Sequence, residues 1–585
     1  MAGKHKPVTL LSGGLFEKPF MDSKIKTRGI TTKERILGHL IGPLGLIFVV
    51  NTIAALVEKF FTQQCGAMYG TDNIGMIQTM GGRYEVVMTV AKLLAVVLGL
   101  VNGWLIQHTR SRQGRFRPWH LIFGFVTIII GCLMFLFPGS TLGESYWYYF
   151  FFLLICYHTV GSTFFYLFRD NIVSVSTRDP GGKASLKFIR QLSWTLVSGI
   201  IIGMLVSMVV LPMWLEHDIN GYPTLMIILS LIAIPLLLME YFYTKERVIE
   251  DVANTVGMEK ENNIPLWDQM KALLSNKYFV IFTILMTVTG IVDNFKGGNV
   301  QYFYIKFMLG GETNWSMYTI YQVVTGIPLG LGAIAIYPLA KKFGIRNVSM
   351  AGYSLVLLGS VMGWMFPTNL PVALVAGFLR QTGMLPNCYI IATLLCYAFD
   401  SVEFKSGLRL EGLMGAAIIT AIQAAIYAPF AGGYESSILK LGFVDAVGVA
   451  ASPEVMKFMT MAFYLFDIIM AVMYLVLLPF MDVEKHLPKM NAELTRRRKE
   501  AVLARGEEWV EPEELERRER AQLEAEAEEN RIADLKENCR KKGLDFDTEN
   551  AKYLAKAEAK KAKQAEKDKK KAAKEAKKAA KAGKR

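Results

Sequence analysis

Long apolar runs separated by short polar segments dominate the chain up to about residue 480. A helix that crosses a membrane needs about 20 mostly apolar residues. Six such runs lie near 38–60, 84–107, 119–138, 146–168, 188–212 and 222–243. After a polar bridge, six more lie near 278–308, 317–340, 347–366, 371–398, 412–436 and 457–481. The pattern predicts an all-α membrane protein with twelve transmembrane helices in two six-helix halves.

The charges of the loops predict the orientation of these helices. Lys and Arg crowd the N-terminal segment and alternate loops, whereas intervening loops such as FPGSTLGES and LGGETNWS contain none. Because basic residues are retained on the cytoplasmic side, both termini are expected in the cytoplasm. The expected divisions are an N-terminus at 1–37, bundles at 38–243 and 278–482, a cytoplasmic linker at 244–277 and a tail at 483–585.

The tail differs in composition from the rest of the chain. Residues 490–540 favour helix, and residues from Ala551 onward are almost entirely Lys and Ala. Such a segment buries too little apolar surface to fold alone, so we expect a charged, low-complexity, partly helical cytoplasmic tail. It is either simply solvated or attracted to anionic lipid headgroups. Because it lacks interleaved aromatic residues, no nucleic-acid partner is expected.

Composition narrows the class of protein further. Hydrophobic residues make up 52% of the chain, and the mean hydropathy is +0.30 despite the charged tail. The six cysteines show no CxxC spacing and no close Cys/His pairs, so neither a disulfide framework nor a metal site is expected. No GxSxG, HExxH or Walker loop stands in a suitable context, so we expect no catalytic residues, no enzyme activity and no cofactor. No cleaved signal peptide is expected either.

A loop with four arginines carries the most specific motif. Gly103–Trp119, GWLIQHTRSRQGRFRPW, joins the second and third runs, and Tyr397–Leu413, YAFDSVEFKSGLRLEGL, joins the tenth and eleventh. A weaker motif, STRDPGGKASLKFIRQL, follows the fourth run at Ser176–Leu192. Together they resemble the corresponding loops of the glycoside–pentoside–hexuronide:cation symporters, the melibiose-permease group of the major facilitator superfamily. The likeness covers 35–485.

The resemblance implies both a fold and a function. It implies two parallel halves, and AKKFGIRN at Ala340–Asn347 indeed occupies the place in the second half that the arginine loop occupies in the first. It implies alternating-access transport of a glycoside or related sugar across the cell membrane, coupled to a proton or sodium ion. An uncoupled facilitator, a lysophospholipid transporter of the same fold and a transporter-derived sensor or scaffold remain alternatives. We expect a monomer.

The charged loops suit a gate at the cytoplasmic mouth. Arginines on one half and carboxylates on the other can pair across the mouth and separate when it opens. The alternative is that these charges only retain the topology. The gate candidates are Arg110, Arg112, Arg115, Arg117, Asp400, Glu403, Lys405 and Arg409.

The usual cation site of the family is missing from the positions where the resemblance places it. The family couples transport through two aspartates one turn apart on the second helix, and here these positions are Ala95 and Gly99. The first-helix aspartate that helps bind sugar falls near Ile47, and the eleventh-helix lysine falls on Gln423, a candidate substrate residue. Sodium prefers several oxygen ligands, which alanine and glycine do not supply. The cation site has therefore been rebuilt elsewhere, or transport is uncoupled.

Ionisable side chains within apolar runs are costly and mark candidate sites. Lys92 matches a basic residue of the family, and Glu85, a coupling candidate, lies two turns away on the same face. Arg190 matches the sugar-site arginine of the family, although it could instead extend to the nearby cytoplasmic surface. Tyr166 and Asp170 fall on its sugar-binding aspartate and aromatic positions in reversed order, and Asp170 could equally end the span.

The seventh run, GIVDNFKGGNVQYFYIKF, concentrates polar groups. Asp293, a second coupling candidate, and Lys296 have a spacing that permits an ion pair. Gly297–Gly298 gives a place where the helix can break and frame a substrate; the alternative is an ordinary helix packed through small residues. Asn294 and Tyr302 would meet sugar hydroxyls and ring faces.

Arg380 in the tenth run is a further candidate substrate residue. With Lys92, Arg190 and Lys296, it gives the apolar runs more basic than acidic groups. This surplus hints at an anionic substrate, for example a hexuronide.

Overall fold

Nine helices in the described part of the computed structural model are long and apolar enough to cross a membrane. Each coincides with a predicted run, and the other three runs, near 188–212, 317–340 and 412–436, are also helical. The all-α fold is therefore confirmed, while the count of twelve spans stays a prediction. The structure describes residues 11, 14–27, 29–70, 73–109, 111–137, 142–177, 180–247, 265–297, 299–312, 314, 316–391, 393–407, 414–445, 450–504 and 512–555.

The described ranges contain α-helices and short wider or tighter helical turns, and no β-strand. Wider, π-helical segments occur at Glu34–Ile41, Tyr157–Gly161 and Thr195–Leu215. The α-helices are, in chain order, α1 Leu44–Tyr69, α2 Ile74–Gln107, α3 Arg117–Leu136, α4 Ser145–Cys156, α5 Ser162–Ser176, α6 Pro180–Trp194, α7 Gly221–Tyr243, α8 Leu266–Leu274, α9 Lys277–Lys296, α10 Val300–Met308, α11 Ser316–Phe343, α12 Ile345–Met365, α13 Leu370–Tyr389, α14 Thr393–Ser406, α15 Met414–Tyr427, α16 Gly433–Lys440, α17 Pro453–Leu477, α18 Val483–Ala504 and α19 Pro512–Lys542.

The first half packs around α1, which contacts α2, α3, α7 and the segment Thr195–Leu215. Aromatic rings fill its core: Phe60 packs edge-on against Phe135 with ring centroids 4.9 Å apart, and Phe61 stacks on Tyr84 of α2 at 4.3 Å. Such aromatic pairs add specific geometry to the burial of large apolar surfaces. They fix α1 beside α2 and α3.

The second half packs through α12, α13 and α17. Tyr353 of α12 stacks on Tyr474 of α17 with centroids 3.8 Å apart. The two halves meet along two seams: α2 packs on α15 and α16, and Thr195–Leu215 packs on α11. The first half therefore contributes α2 and Thr195–Leu215 to the interface, and the second half contributes α11, α15 and α16.

The two halves repeat one capping arrangement. Glu246, which follows α7, accepts hydrogen bonds of 2.8–2.9 Å from the backbone N–H groups of residues 115–117 at the start of α3. Glu484, at the start of α18, accepts bonds of 2.8 and 2.9 Å from residues 345–346 at the start of α12. Burial raises the pKa of Glu246, an effect that its backbone donors only partly oppose. We call the end of the bundle where α3 and α12 begin the terminal face.

A left-handed glycine precedes each of these capped helices. Gly114 has φ of +104° and Gly344 has φ of +84°, conformations that favour glycine because it has no Cβ. A Cβ on Gly114 would also lie 2.3 Å from the carboxyl carbon of Glu246. The arginine loop and AKKFGIRN are therefore structural equivalents, which supports the two-halves interpretation of the sequence.

The described part of the tail is helical, as its composition predicts. Arg531 of α19 lies 4.3 Å from the ring of Tyr553, measured from its guanidinium carbon to the centroid, and it donates to Asn550 at 2.7 Å. α19 therefore folds back on the helical residues 546–555. Residues 556–585, on which the expectation of lipid binding falls, lie outside the described residues, and the predicted domain limits stay predictions.

Candidate functional site

Arg190 lies in a buried charged cluster of the first half. Its Nη2 donates to Oε1 of Glu240 at 2.9 Å, and Nε2 of His120 lies 3.0 Å from the other oxygen of that carboxylate. Nδ1 of His39 lies 3.5 Å from Nη1 of Arg190. The sequence pointed to Arg190 but not to its partner. Glu240 stands within the sixth apolar run, so a search for ionisable residues there would have found it.

An open cavity of 490 Å³ lies beside this cluster. The guanidinium carbon of Arg169 lies 4.5 Å from the ring centroid of Trp194 and 5.1 Å from that of Tyr166. The buried Nε of Arg190 has no hydrogen-bond partner within the described part of the chain. The lining residues are Arg169, Val173, Lys187, Phe188, Arg190, Gln191 and Trp194.

The volume of this cavity lies within the range of small-molecule pockets. Ligand pockets measure about 300–1,000 Å³ and combine aromatic surfaces with a few polar groups. Two predicted residues, Tyr166 and Arg190, lie in the same region of the structure. Arg190 lines the cavity, and Tyr166 contacts Arg169, which also lines it. Trp194 and Gln191 were missed because neither is charged, although both follow Arg190 within four residues. The side chain of Asp170 lies outside the described residues.

Lys92 and Glu85 have different surroundings, although they share a face of α2. Lys92 interacts electrostatically with Glu58 of α1 and with His158. Glu85 instead forms an ion pair with Lys440 of α16, and Oγ of Ser436 donates to it at 3.2 Å. The coupling candidate Glu85 is thus a partly exposed contact between the halves, whereas Lys92 lies near Glu58 and His158 of the first half.

A second buried charged cluster lies in the second half. Nζ of Lys296 donates to Asp467 of α17 at 2.5 Å, and Arg380 of α13 binds the other oxygen of the same carboxylate. The spacing of Asp293 and Lys296 permits an ion pair, but the carboxylate that binds Lys296 is that of Asp467. Asp293 lies on an exposed position of α9 and interacts with Lys296 electrostatically. Asp467 was missed, although it is a lone acid in the last apolar run. The cluster does bring together Lys296 and Arg380, as two candidate residues.

The remaining polar candidates of the second half bind the protein itself. Asn294 donates to the carbonyl of Gly290 at 2.8 Å, an intrahelical bond. Gln423 donates to the carbonyl of Thr283 at 2.8 Å. The predicted helix break is present, since α9 ends at Lys296 and α10 begins at Val300.

A third charged cluster joins the two halves at the face opposite the terminal face, where α1 and α12 end. Lys59 of α1 binds Asp445, which follows α16. Lys306 of α10 binds Asp445 at 2.6 Å and also Glu216, which follows the segment Thr195–Leu215. The hydroxyl of Tyr302 donates to Glu216 as well. We call these five residues the opposite-face cluster; of them, the sequence pointed only to Tyr302, as a substrate residue.

The arginine loop makes its contacts within the first half. Arg112 binds Asp22 at 2.8 Å, and the pKa of Asp22 is lowered by a hydrogen bond from Gln113 and by the charge of Arg112. Nη2 of Arg117 donates to the carbonyl of Tyr241 at 2.5 Å. The pairing of arginines and carboxylates across the mouth stays a prediction for another conformation.

Of the remaining gate candidates, the described ones lie in the arginine loop and on α14. Arg115 contributes its backbone N–H to Glu246. Asp400, Glu403 and Lys405 lie in the last turns of α14. Arg110 and Arg409 lie outside the described residues.

No group of three or more His, Cys, Asp or Glu side chains in the described ranges is placed to hold a metal ion. The charged side chains instead pair with one another, as ionisable groups must where water is excluded. The three clusters lie within the first half, within the second half and between the halves.

A family profile described as MFS/sugar transport protein matches residues 38–485. The chain belongs to this family. It is a multi-pass membrane protein of the cell membrane, as its apolar helices also indicate. The resemblance to the glycoside–pentoside–hexuronide:cation symporters, drawn from two strong loop motifs and a weaker third, is confirmed.

Individual relatives agree with this assignment. The isoprimeverose transporter of Lactiplantibacillus pentosus is 26% identical over 466 residues, which are 77% of this chain and 89% of the relative. The uncharacterized symporter YjmB of Bacillus subtilis (strain 168) is 24% identical over 349 residues, 59% of this chain and 71% of the relative. The crystal structure of a D-xylose-proton symporter matches with a TM-score of 0.51 at 14% identity, covering 77% of this chain and 96% of that one. This last likeness supports the fold alone.

Proposed function

We propose that the protein carries a glycoside or related sugar across the cell membrane by alternating access, coupled to a cation. Family membership and the similarity to an isoprimeverose transporter support a sugar as the solute. The similarity to a symporter supports coupling. The alternation of basic and neutral loops supports twelve spans with both termini in the cytoplasm.

The observation that carries the proposal is the cavity beside Arg190. Trp194 offers an aromatic face for the C–H face of a sugar ring, and Arg190 and Gln191 offer donors for its hydroxyls. The unpartnered Nε of Arg190 is a donor held ready for a ligand, because a buried donor without an acceptor is costly. Glu240 holds the guanidinium in place from behind.

The charge balance favours a neutral sugar over a hexuronide. Three of the four cations that hinted at an anionic substrate have carboxylate partners: Arg190 binds Glu240, and both Lys296 and Arg380 bind Asp467. The surplus of positive charge is therefore smaller than the sequence indicates.

The opposite-face cluster supports alternating access. If both termini are cytoplasmic, this cluster lies on the extracellular side, where Lys59–Asp445 and Lys306–Glu216 each join one half to the other. Such buried pairs hold an interface together because separating them exposes charges that must be rehydrated or repaired. The conformation described here is then closed toward the outside, and its cycle requires these pairs to separate.

Uptake of radiolabelled isoprimeverose into membrane vesicles tests the proposal. Trp194→Ala should abolish saturable uptake, because the ring surface of the sugar loses its platform. Trp104→Ala, on an exposed part of α2, is the matched control and should retain uptake. If the unmodified protein takes up no sugar but transports a lysophospholipid, the proposed solute is wrong and the protein is a lipid transporter.

A further inference from the structure

Two carboxyl groups from opposite halves meet inside the protein. Glu58 of α1 is 6% exposed and Glu435 of α16 is fully buried. Their carboxyl groups lie within hydrogen-bonding range of each other. Nδ2 of Asn299 donates to Oε1 of Glu435 at 3.3 Å, and Gly297 packs so closely on Glu58 that a Cβ there would lie 2.5 Å from Oε2. We call Glu58 and Glu435 the carboxyl pair.

Buried polar atoms without hydrogen-bond partners in the described ranges occur within this pair and beside it. Oε2 of Glu435 is buried and has no regular hydrogen-bond partner among the described residues. The same is true of the hydroxyl of Tyr84. Tyr84 interacts electrostatically with both carboxyl groups. Buried polar atoms without partners are rare, and each calls for a missing donor or ligand. Here the missing group would lie between the carboxyl oxygens of Glu58 and Glu435, which are hydrogen-bond acceptors.

A hydrogen ion is the ligand that fits this geometry. Two carboxylates in hydrogen-bond contact repel each other unless one of them is protonated, as in other carboxyl pairs that share a proton. The usual cation positions of the family, Ala95 and Gly99, carry no ligand at all.

We propose that Glu58 and Glu435 share one proton and form the site that couples transport to protons, by linking closure of the extracellular side to proton binding. The inference rests on the proposed function, which supplies the orientation and the need for a coupling ion. The step is a protonation: one proton from extracellular water binds as α1 and α16 come together, and no other bond forms or breaks. Loss of that proton leaves two facing carboxylates, which drive the halves apart.

The surrounding charges are consistent with this assignment. Tyr84 and Lys92 face the pair from α2, and Tyr434 lies beside it on α16. On the neighbouring α9 and α17, Lys296 and Asp467 are bound to each other. Lys92 interacts electrostatically with Glu58, and one ammonium group does not neutralise two carboxylates. The pair therefore needs a proton to close.

Distances between spin labels on the two halves test the proposal without any substrate. Leu142→Cys, before α4, and Phe366→Cys, after α12, place labels on exposed positions of opposite halves at the closed face, in a full-length chain whose native cysteines are replaced by serine. Lowering the pH from 8.5 to 5.5 should shorten the mean label distance. For one linked proton, the ratio of closed to open molecules changes by up to about tenfold per pH unit.

Substitutions within the pair assign this shift. Glu435→Gln supplies a permanent amide donor to Glu58, so the short label distance should persist at both pH values. Glu58→Gln should behave in the same way, and it replaces Glu435→Gln in the experiment if that variant does not fold. Glu144→Gln, an acid of the same face that bonds Tyr69 within the first half, should keep the pH shift.

Three results would overturn the proposal: no pH shift in the unsubstituted pair, a normal shift in both Gln variants, or a shift produced by sodium at constant pH. Since the distance measurement needs no sugar, a pH shift without sugar uptake would reject the proposed function and leave the proton site standing. Sugar uptake without a pH-dependent change in label distance would reject the proton site and leave the proposed function standing.

Discussion

Lys59 of α1 binds Asp445 of the other half, and both side chains are almost completely removed from solvent. Asp445 also binds Lys306, which in turn binds Glu216, so one chain of charges crosses the interface twice. These contacts lie at the face opposite the one where the arginine loop binds Asp22 and Tyr241 within its own half. The halves are therefore held together by charge at one end of the molecule.

Lys59→Gln should prevent closure of this face. Removing one partner of a buried pair leaves an uncompensated charge, which costs about 3–5 kcal/mol, so sugar uptake should fall at least tenfold. Lys59→Gln combined with Asp445→Asn should recover part of the activity. Initial uptake rates in vesicles, normalised to the amount of protein in the membrane, measure both effects.

Lys277→Gln provides the control for this experiment. Lys277 binds Asp482 at 3.0 Å on the exposed terminal face, where an ion pair contributes only about 0–1 kcal/mol. It should leave uptake nearly unchanged. Equal losses in Lys59→Gln and Lys277→Gln would show that the opposite-face cluster has no special part in closure.

Asp467→Asn should destabilise the second half far more than Asp293→Asn. Asp467 balances both Lys296 and Arg380, whereas Asp293 lies on an exposed position of α9. Loss of the Asp467 carboxylate removes the group that both cations bind inside the bundle. The melting temperature in detergent, measured by size-exclusion of a fluorescent fusion, should drop clearly for Asp467→Asn and little for Asp293→Asn. The opposite order would make Asp293 the more important partner of Lys296.

Local sequence patterns predict some features of the fold but not the long-range pairing of charges. The apolar runs, the break near Gly297 and the equivalence of the loops at Gly114 and Gly344 follow from local patterns, and the structure contains each of them. The partner of Lys296 does not follow, because Asp467 is 171 residues away in the chain and only tertiary packing brings it close.

The charged contacts between the halves were missed for a related reason. Lys59, Glu216, Lys306 and Asp445 lie at or near the ends of apolar runs, where a charge usually indicates only that a span ends. Their mutual contacts depend on how the halves pack. By contrast, Arg190 was found through the family motif, while Glu240, which holds it, was not.

Gly114→Ala should destabilise the protein more than Gly143→Ala. Both glycines have positive φ, +104° and +57°, so each substitution introduces backbone strain. Only at Gly114 would the new Cβ meet the carboxyl group of Glu246, at 2.3 Å, while Gly143 has open space around it. Thermal unfolding of the two variants isolates this contact, and equal melting temperatures would show that the Glu246 cap tolerates displacement.

Lys92→Ala and Arg190→Ala should each abolish sugar uptake while the protein remains folded in the membrane. Arg190 offers its free Nε to the cavity, and Lys92 lies in the first-half core beside Glu58. Equilibrium binding of labelled sugar to the purified variants separates lost binding from lost movement. Near-normal uptake in either variant would show that the substituted residue does not bind sugar. The role of Arg190 would then be limited to its ion pair with Glu240.

Uptake of labelled isoprimeverose under imposed ion gradients tests the central claim, cation-coupled sugar transport, most directly. An inward proton gradient should drive accumulation, and an inward sodium gradient at constant pH should not, because Ala95 and Gly99 replace the carboxylates of the usual site. Sodium-driven accumulation would contradict the account, as would the absence of accumulation under either gradient.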